Sequence, residues 1–475
     1  MFFDRFINAI RGLFGMYTQR TAAPACRETA ISDYMANSIT AWCRQFYGQD
    51  THEGYPSAKT KAAVFITNFT ATLATEELEL NLGSGARAES VTGQLQRNIL
   101  PQLHNAVQLA AAGGQAVLKP FVSGNRILTD VVPADRFYPT RINAAGQIEA
   151  CFFTDFARYN GREVVRCEFH DLQPDGYYIH NEAYYDDAGS MRGAFDWRQV
   201  PQWADLEADC KITGIDRPLF AVLKMPFANT IDNTSRLPVS LYANSMDALE
   251  ELDRIYGEFL HEVHSGKRKR IVAADAVNPK LQIPGMEGFR PIPFRDLTTD
   301  LYLVLDTDGT AHPFDDYSPE LRIEPYQKAI NVQIRMIERQ CGFTEGTFCF
   351  DIKEGRMTAT QVTSDDRDTY SLIKAIQDRG LRQGLEDLAY IYNVYADLNG
   401  LAPAGEITCT VSFGDSVFED TQTEFARRMQ MVSAGLLKPE ALLAWYFGCD
   451  EAAAAKLMPT QSAPEPLSFR PVGDA

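Results

Sequence analysis

Apolar residues recur at helical spacing from about residue 58 onward. One such stretch is Ala58–Leu82, and a second, Leu95–Ala112, ends at Gly113-Gly114. Apolar side chains at i, i+3, i+4 and i+7 line one side of a helix, and glycine is common just after a helix ends. The pattern therefore predicts two helices. The face of the first is formed by Ala62, Phe65, Ile66, Phe69 and Leu73.

Further along, the apolar residues alternate with polar ones, which is typical of strands. Short turns such as Ser123-Gly124-Asn125 and Ala145-Gly146 separate the alternating segments. Turns of this length cannot hold the crossover helix that parallel strands require. We therefore expect an α+β region with a mainly antiparallel sheet. Its predicted strands are Val117–Val122, Arg126–Val132, Gln147–Phe153, Val164–His170, Tyr177–Ala183 and Phe220–Lys224.

Two longer helices follow, separated by a proline-rich segment of short strands. The first covers Ser240–Val263, and the second begins near Pro319, with Ser318 as its N-cap, and ends at Gln340. Proline fits the first position of a helix and serine fits the N-cap. A dense basic run, Lys267-Arg268-Lys269-Arg270, follows the first helix directly. The order predicts a hairpin-like pair of helices with a small module at its tip.

After Gly342 the chain becomes irregular and then helical again. Gly342–Met357 is rich in glycine and aromatic residues, and Thr358–Leu398 is the longest helical candidate. Gly380 and Gly384 lie in its middle, and each costs about 1 kcal/mol relative to alanine, so we expect a kink there. A strand and two closing helices follow at Ile407–Phe413, Glu419–Gly435 and Pro439–Phe447.

The first 17 residues form an amphipathic pattern rather than a signal peptide, because charged residues interrupt the apolar ones. Such a helix would dock onto a partner subunit or the body of the chain, or would lie on a membrane surface. Its apolar residues are Phe2, Phe3, Phe6, Ile7, Ile10, Leu13 and Phe14.

The net charge and the cysteine content argue against several classes of protein. The chain has 475 residues, a net charge of −18 and nine cysteines without a C-x-x-C pair. Tight binding of nucleic acid over a surface needs lysine and arginine to neutralise phosphates, so this acidity argues against it. Scattered cysteines in a chain of this length predict reduced thiols in the cytosol rather than a disulfide framework. No apolar run of about 18 residues is present, so no helix is expected to span a membrane.

Several short motifs resemble catalytic or binding signatures without fulfilling them. No P-loop is present, because Gly266-Lys267 lacks the upstream glycine and the following Ser or Thr. Gly83–Ala88 matches the dinucleotide pattern G-x-G-x-x-A by letters, but it follows a helix-like segment, so we interpret it as a loop. Asp306-Thr307-Asp308-Gly309 lacks the spacing of a calcium loop and predicts a hairpin turn.

Two further groups could bind a metal ion but have simpler explanations. His261 and His264 lie three residues apart in H-E-V-H, which is not the zinc motif H-E-x-x-H, and a solvated helix end explains them. Asp365, Asp366 and Asp368 could form a carboxylate site, but acidic residues near a helix start also favour the helix dipole. The sequence therefore nominates no catalytic, cofactor or metal site.

The order of these elements, together with several segments, resembles bacteriophage portal proteins, in particular those of siphophages that infect Gram-positive bacteria. The resemblance covers roughly Ala58–Leu457. The matching segments are Val131–Pro139, Ser240–Asp247, Gly342–Phe348, Thr358–Val362, Phe418–Asp420 and Met431–Leu436.

This resemblance implies a portal fold with an α/β wing, a long-helix stem, a small β-containing clip, a tunnel loop with a long kinked helix, and a short helical crown. The implied divisions are an N-terminal amphipathic segment (1–57), wing (58–237), stem helix 1 (238–265), clip (266–318), stem helix 2 (319–341), tunnel loop (342–357), long kinked helix (358–398), wing return strand and helix (399–437), and short crown with mobile tail (438–475).

The resemblance also implies a structural role without catalysis. Portals form a ring, usually of twelve subunits, at one capsid vertex, and double-stranded DNA passes through its axis during packaging and ejection. Expected partners are further copies of the chain, the terminase, a head-completion or adaptor protein, and the major capsid or scaffold protein. The expected location is the virion, with assembly in the host cytoplasm, and no stable membrane association is expected.

Residue roles follow from this picture. An acidic channel repels phosphate, and a few cations at constrictions could touch passing DNA. Those DNA-facing candidates are Lys353, Arg356, Lys267, Arg268, Lys269 and Arg270. The basic run could instead cap the preceding helix or pair with acids of a neighbour. The apolar stripe of the first long helix would be buried between subunits, and its candidate contact residues are Leu252, Tyr256, Phe259 and Leu260.

Two other functions are compatible with the residues. One is a metal-dependent, nuclease-like enzyme that uses Asp365, Asp366 and Asp368. The other is a peripheral membrane scaffold that binds through residues 1–17.

Overall fold

The computed structural model describes residues 29–48, 51–52, 55–76, 78–187, 190–266, 269–273, 302–305, 314–317, 320–349, 367–413, 421–447 and 454. It divides the chain into two compact units, one of Met1–Glu354 with Asp368–Phe413 and one of Gly355–Arg367 with Gly414–Ala475. The predicted amphipathic helix of residues 1–17, the turn at Asp306–Gly309, and Lys353 and Arg356 lie outside the described residues.

The helices of the larger unit build most of its core. They are α1 (Asp33–Tyr47), α2 (Ala58–Ala74), α3 (Ala86–Gly113), α4 (Met246–Ser265), α5 (Ile323–Cys341), α6 (Arg367–Ala375, whose last eight residues belong to this unit) and α7 (Arg382–Leu398). The sequence reading missed α1. Its signal was the N-cap Ser32, which accepts a hydrogen bond from the Met35 N–H, followed by buried Met35, Ile39 and Trp42 at helical spacing.

The strands form separate small sheets. They are β1 (Thr51–His52), β2 (Tyr55–Pro56), β3 (Leu78–Asn81), β4 (Gln115–Ser123), β5 (Arg126–Pro133), β6 (Phe137–Ile142), β7 (Ile148–Tyr159), β8 (Arg162–Gln173), β9 (Gly176–Asp187), β10 (Ser190–Ala194), β11 (Asp209–Ile212), β12 (Ala221–Lys224), β13 (Lys269–Ala273), β14 (Tyr302–Leu305), β15 (Phe314–Tyr317) and β16 (Thr410–Phe413).

The sheet order confirms the predicted antiparallel α+β region. The largest sheet runs β10-β9-β8-β7-β6, with β11 also paired to β9, and a second sheet runs β12-β4-β5. Every pairing in these two sheets is antiparallel. Short turns connect consecutive strands, as expected where no crossover helix intervenes.

Several predicted helix boundaries were wrong. The helix predicted over Leu95–Ala112 begins nine residues earlier, at Ala86. The helix predicted over Ala58–Leu82 ends at Ala74, and β3 follows it because residues 78–81 pair with β16. The first long helix begins at Met246, since the preceding segment is held at the end of α3 by the Leu241 N–H and the Ser240 hydroxyl, which both donate to the Ala111 carbonyl.

The second long helix begins at Ile323 rather than near Pro319, which lies outside the described residues with Ser318. Arg322, at the N-cap position, is engaged by a side chain of α4 instead of continuing the helix.

A buried ion cluster joins the two main sheets. Glu168 on β8 accepts hydrogen bonds from Lys119 Nζ of β4 at 2.9 Å and from Arg166 Nη1 at 2.8 Å. His170 Nε2 lies 2.7 Å from the other carboxylate oxygen, and its Nδ1 lies 2.7 Å from the Tyr177 hydroxyl. Burial acts to raise the pKa of Glu168, but the nearby Lys119 charge, the His170 hydrogen bond and Arg166 together hold it well below its usual range. Burial lowers the pKa of His170, which favours a neutral ring.

A π-helical segment interrupts the long helix where a kink was predicted. Ile376–Leu381 is a π-helix between α6 and α7. Residues Asp365 and Asp366 lie outside the described residues, and Asp368 is exposed in the first turn of α6.

The smaller unit contains two described helices, α8 (Thr421–Ser433) and α9 (Pro439–Phe447). Both closing helices are therefore present, with α8 shorter than predicted. Within the part of the chain described, no helix is long and apolar enough to cross a membrane. The seven described cysteines are all free thiols, as their spacing predicted.

Candidate assembly site on the helix pair

Helices α4 and α5 lie side by side and antiparallel along their whole length. At one end, the Ser245 Oγ just before α4 lies 3.3 Å from Cys341 Sγ. Near the other end, the rings of Phe259 and Tyr326 have centroids 5.9 Å apart. These contacts fix the stagger of the two helices, because residues near the start of α4 are level with residues near the end of α5.

An arginine clamp closes the far end of the pair. Arg322 donates from Nε and Nη2 to the two carboxylate oxygens of Glu262, at 3.0 and 2.7 Å. These hydrogen bonds hold the pKa of Glu262 below its usual range. Since Arg322 is exposed and Glu262 is only half-buried, the clamp fixes geometry more than it adds stability.

Helix α2 is fixed against the pair at its first turn. Asp253 of α4 accepts hydrogen bonds from the backbone N–H groups of Ala58, at 2.7 Å, and Lys59, at 3.4 Å. The carboxylate thereby satisfies N–H groups that have no partner within the helix and complements the positive end of its dipole. The three helices α2, α4 and α5 consequently form one packed group.

An apolar groove of ≈ 690 Å³ runs between these three helices. Phe65 in its wall is 53% exposed and Ile323 is 49% exposed, although both side chains are large and apolar. Apolar surface that is contiguous and open to water usually marks an interaction site. The groove is lined by Phe65, Tyr256, Phe259, Ile323, Ile334 and Phe348, among others.

The four predicted contact residues occupy different positions around this groove. Tyr256 and Phe259 line it and are half-buried. Leu252 also lines it but is only 6% exposed, so most of its surface is already covered by its own chain. Leu260 is 38% exposed and lies outside the lining.

A buried glutamate holds the segment that follows α5. Glu338 is fully buried, and its carboxylate accepts hydrogen bonds from the backbone N–H groups of Gly346, at 2.6 Å, and Phe348. The Phe348 ring then packs edge-on against Phe65 and Phe69 of α2. Sequence reasoning missed Glu338, although a glutamate on the apolar side of an amphipathic helix is a recognisable signal.

Beyond the tip of the pair, β14-β13-β15 form a three-stranded sheet. Strand β13 pairs with β14 in parallel and with β15 in antiparallel orientation. Lys269 and Arg270 begin β13 and lie opposite Tyr317 and Asp316 in the register. Lys267 and Arg268 lie outside the described residues.

The remaining sequence motifs have structural roles. The loop predicted over Gly83–Ala88 covers only Gly83–Gly85, because Ala86–Ala88 begin α3. The strand β3 precedes this loop, so the expectation of a helix there was also wrong. That strand, β3, pairs with β16 in an antiparallel sheet and not in the parallel sheet of a dinucleotide fold. His261 and His264 are exposed at the end of α4. Among the residues described, no group of His, Cys, Asp or Glu could hold a metal ion.

The sequence of this chain matches a known protein family. The sequence pattern described as "phage portal protein, SPP1 Gp6-like" matches residues 104–463, which is most of the chain. The chain belongs to this family of phage portal proteins. It therefore has the portal fold and serves as a portal of a capsid, which is a structural role.

Solved structures with similar architecture come from particles of a gene transfer agent (GTA). The chain is 12% identical to a chain in the virion of the native GTA particle, with a TM-score of 0.42 and coverage of 94% of this chain and 99% of that one. A chain from the neck of the native particle, computed with C12 symmetry, gives 12% identity, a TM-score of 0.40 and coverage of 89% and 96%. The family assignment rests on the match over residues 104–463. No curated protein matches the chain.

Proposed function

We propose that the portal protein assembles into a closed ring of twelve subunits at one capsid vertex, and that double-stranded DNA passes along the ring axis. The observation that carries this proposal is the open apolar groove between α2, α4 and α5. A soluble monomer would leave Phe65 and Ile323 in water, whereas a neighbouring copy would cover them. Portal family membership supports the same arrangement.

The net charge supports a sliding rather than a gripping contact with DNA. At −18 per subunit, a ring repels phosphate over most of its surface. Contacts with the backbone are then restricted to a few cations, each weak and sensitive to salt. Lys353 and Arg356, and the basic run that ends in Lys269 and Arg270, are the residues proposed for that role.

The small sheet at the tip of the helix pair is the proposed docking module for other proteins. It is formed by short strands at the end of two long helices, so it can present a surface without altering the packed core. The terminase would bind it during packaging and a head-completion protein afterwards. The major capsid or scaffold protein would contact the outer side of the ring.

Ring assembly can be tested on the purified full-length protein. We expect negative-stain electron microscopy to show rings with a central hole, and mass photometry to give about 640 kDa, twelve times the 53.1 kDa subunit. Phe65→Ser should reduce ring formation because it removes apolar surface from the groove. Leu100→Ser, a matched change at a 41% exposed position of α3 outside the groove lining, should not. A monodisperse monomer would contradict the proposal.

A further inference from the structure

The open groove between α2, α4 and α5 has the character of a binding site for a helix. Three helices form its walls, and Phe65 and Ile323 leave large apolar surfaces in water. Among the described residues that line it, Lys61 is the one charged side chain. Grooves of this kind bind an amphipathic helix through apolar residues at positions such as i, i+3, i+4 and i+7 of the ligand. The groove therefore suits a helix with one apolar face.

Residues 1–17 of the chain have the sequence pattern that such a groove accepts. Four large apolar residues of this segment follow one another at spacings of four, three and four, so a helix would align them on one face. They are Phe3, Ile7, Ile10 and Phe14. The charged residues of the segment fall outside this face. The sequence thus predicts here an apolar helical face that matches the groove.

Charge favours the same pairing. Residues 1–17 contain two arginines and one aspartate, so the segment is positive although the whole chain carries −18. Helix α4, which forms one wall of the groove, contains six acidic residues and one arginine. Opposite charges around an apolar contact guide the two surfaces together and select the correct partner. The segment is therefore complementary to this wall in charge as well as in apolar surface.

The chain between this segment and α1 is long enough to reach a groove. The Ala30 backbone N–H donates to the Pro139 carbonyl oxygen at 2.9 Å, which fixes the chain just before α1. The other end of α1 lies beside the groove wall, because a Cβ on Gly48 would meet Thr60 of α2 at 3.4 Å. Helix α1 has 15 residues and is about 22 Å long, whereas residues 18–29 can span up to about 40 Å. The spare length allows the segment to enter the groove of an adjacent copy.

A head-to-tail ring joins two different surfaces of each subunit, and exchange of an identical element between copies is a low-cost way to form such a contact. We propose that residues 1–17 of one copy form a helix that occupies the groove between α2, α4 and α5 of the neighbouring copy. Phe3, Ile7, Ile10 and Phe14 are its apolar anchors. This inference rests on the proposed ring assembly and names the segment of the neighbour that covers the groove.

Photocross-linking from the groove tests the proposal. A benzophenone amino acid replaces Gln327, an exposed residue of the groove lining, and the assembled full-length protein is irradiated. We expect a band of two linked chains on a denaturing gel, with mass spectrometry locating the second attachment point within residues 1–17. The same probe in place of Val332, which is 54% exposed and lies on another face of α5, should not label that segment.

Substitutions within the segment measure its contribution to assembly. Ile7→Asp with Ile10→Asp should abolish the cross-link and raise the subunit concentration at half-assembly about tenfold, because a few buried apolar anchors dominate such contacts. Asn8→Asp with Gly12→Asp adds the same charge away from the apolar face, and both quantities should change far less. Mass photometry over a dilution series measures the concentration at half-assembly.

The possible results separate this inference from the ring itself. Cross-links to residues 1–17 that migrate as a single chain would overturn the exchange between copies. Rings whose cross-links reach other parts of the neighbour, or rings that assemble equally well with Ile7→Asp and Ile10→Asp, would overturn the docking of this segment and leave the ring intact. A monomeric wild type would instead contradict the ring and this inference with it.

Discussion

At the scale of single residues, the cluster around Glu168 makes the clearest prediction. Glu168→Gln leaves buried Lys119 without its anionic partner and removes the closer of the two carboxylates that pair with Arg166, whose other partner is Asp155 at 3.6 Å. Loss of one partner of a buried ion pair costs about 3–5 kcal/mol, so we expect a lower thermal midpoint and a lower urea midpoint at pH 7. The double variant Lys119→Met with Glu168→Gln should be more stable than Glu168→Gln alone. If the single and the double variant were equally stable, the proposed stabilisation by the Lys119–Glu168 ion pair would be contradicted.

The same residue gives the sign of a pH effect. The pKa of Glu168 is lower in the folded protein than in the unfolded chain, so its contribution to stability is present above about pH 4.3 and is lost as pH falls through the folded value. The free energy of unfolding of the wild type, measured in urea, should therefore decrease as the pH is lowered. The same quantity should change less with pH in the Glu168→Gln variant. His170 adds to the slope in the same direction below about pH 6.5, because its pKa is also lowered by burial.

These residues also mark a limit of sequence reading. Lys119, Glu168 and Glu338 lie in segments with clear periodicity, so the elements that carry them were predictable. Their partners come from other strands and from a following loop, at sequence separations of 49 residues for Lys119 and Glu168. The spacing of apolar residues shows which face of a helix or strand is buried, but it does not show which residue of another element packs against that face. The buried charges were missed for this reason.

At the scale of elements, the two glycines of the long helix show what the sequence could and could not reveal. Gly380 and Gly384 predicted an interruption, and the π-helix lies there. The reason was not visible in the sequence, because it is the close approach of β12. A Cβ on Gly384 would lie 2.7 Å from the Val222 carbonyl oxygen, and one on Gly380 would lie 2.2 Å from that of Lys224.

Gly384→Ala should therefore destabilise the protein, although alanine is the better helix former. Alanine gains about 1 kcal/mol in helix propensity, whereas a forced contact with backbone costs about 1–3 kcal/mol and has little room to relax. The matched control is Gly93→Ala in α3, where the added Cβ meets only a flexible arginine at 3.5 Å. Thermal unfolding should give a lower midpoint for Gly384→Ala and an unchanged or higher one for Gly93→Ala. A stabilised Gly384→Ala variant would contradict the close packing on β12.

At the scale of the whole molecule, the net charge of −18 argues against tight binding of DNA over the whole surface and is compatible with the few contacts proposed above. The order of long helices, tip sheet and following helix could be predicted from the sequence because each element has its own period. The apolar groove between α2, α4 and α5 could not be predicted from the sequence. It depends on the stagger of α4 and α5 and on side chains from α2. The proposed contacts with DNA therefore depend on a small number of cations, and we expect their removal to have an effect separable from ring assembly.

Lys353→Glu with Arg356→Glu tests that role. If these residues touch passing DNA, reversal of both charges in a functional particle should reduce the amount of packaged DNA, because an acidic channel would then lack its compensating cations. Ring assembly of the purified variant should match the wild type by mass photometry, and packaged DNA is measured by nuclease protection. Lys353→Arg with Arg356→Lys, which keeps both charges, serves as the control and should package normally. Loss of rings in the reversed variant would instead identify the segment as a structural joint between subunits.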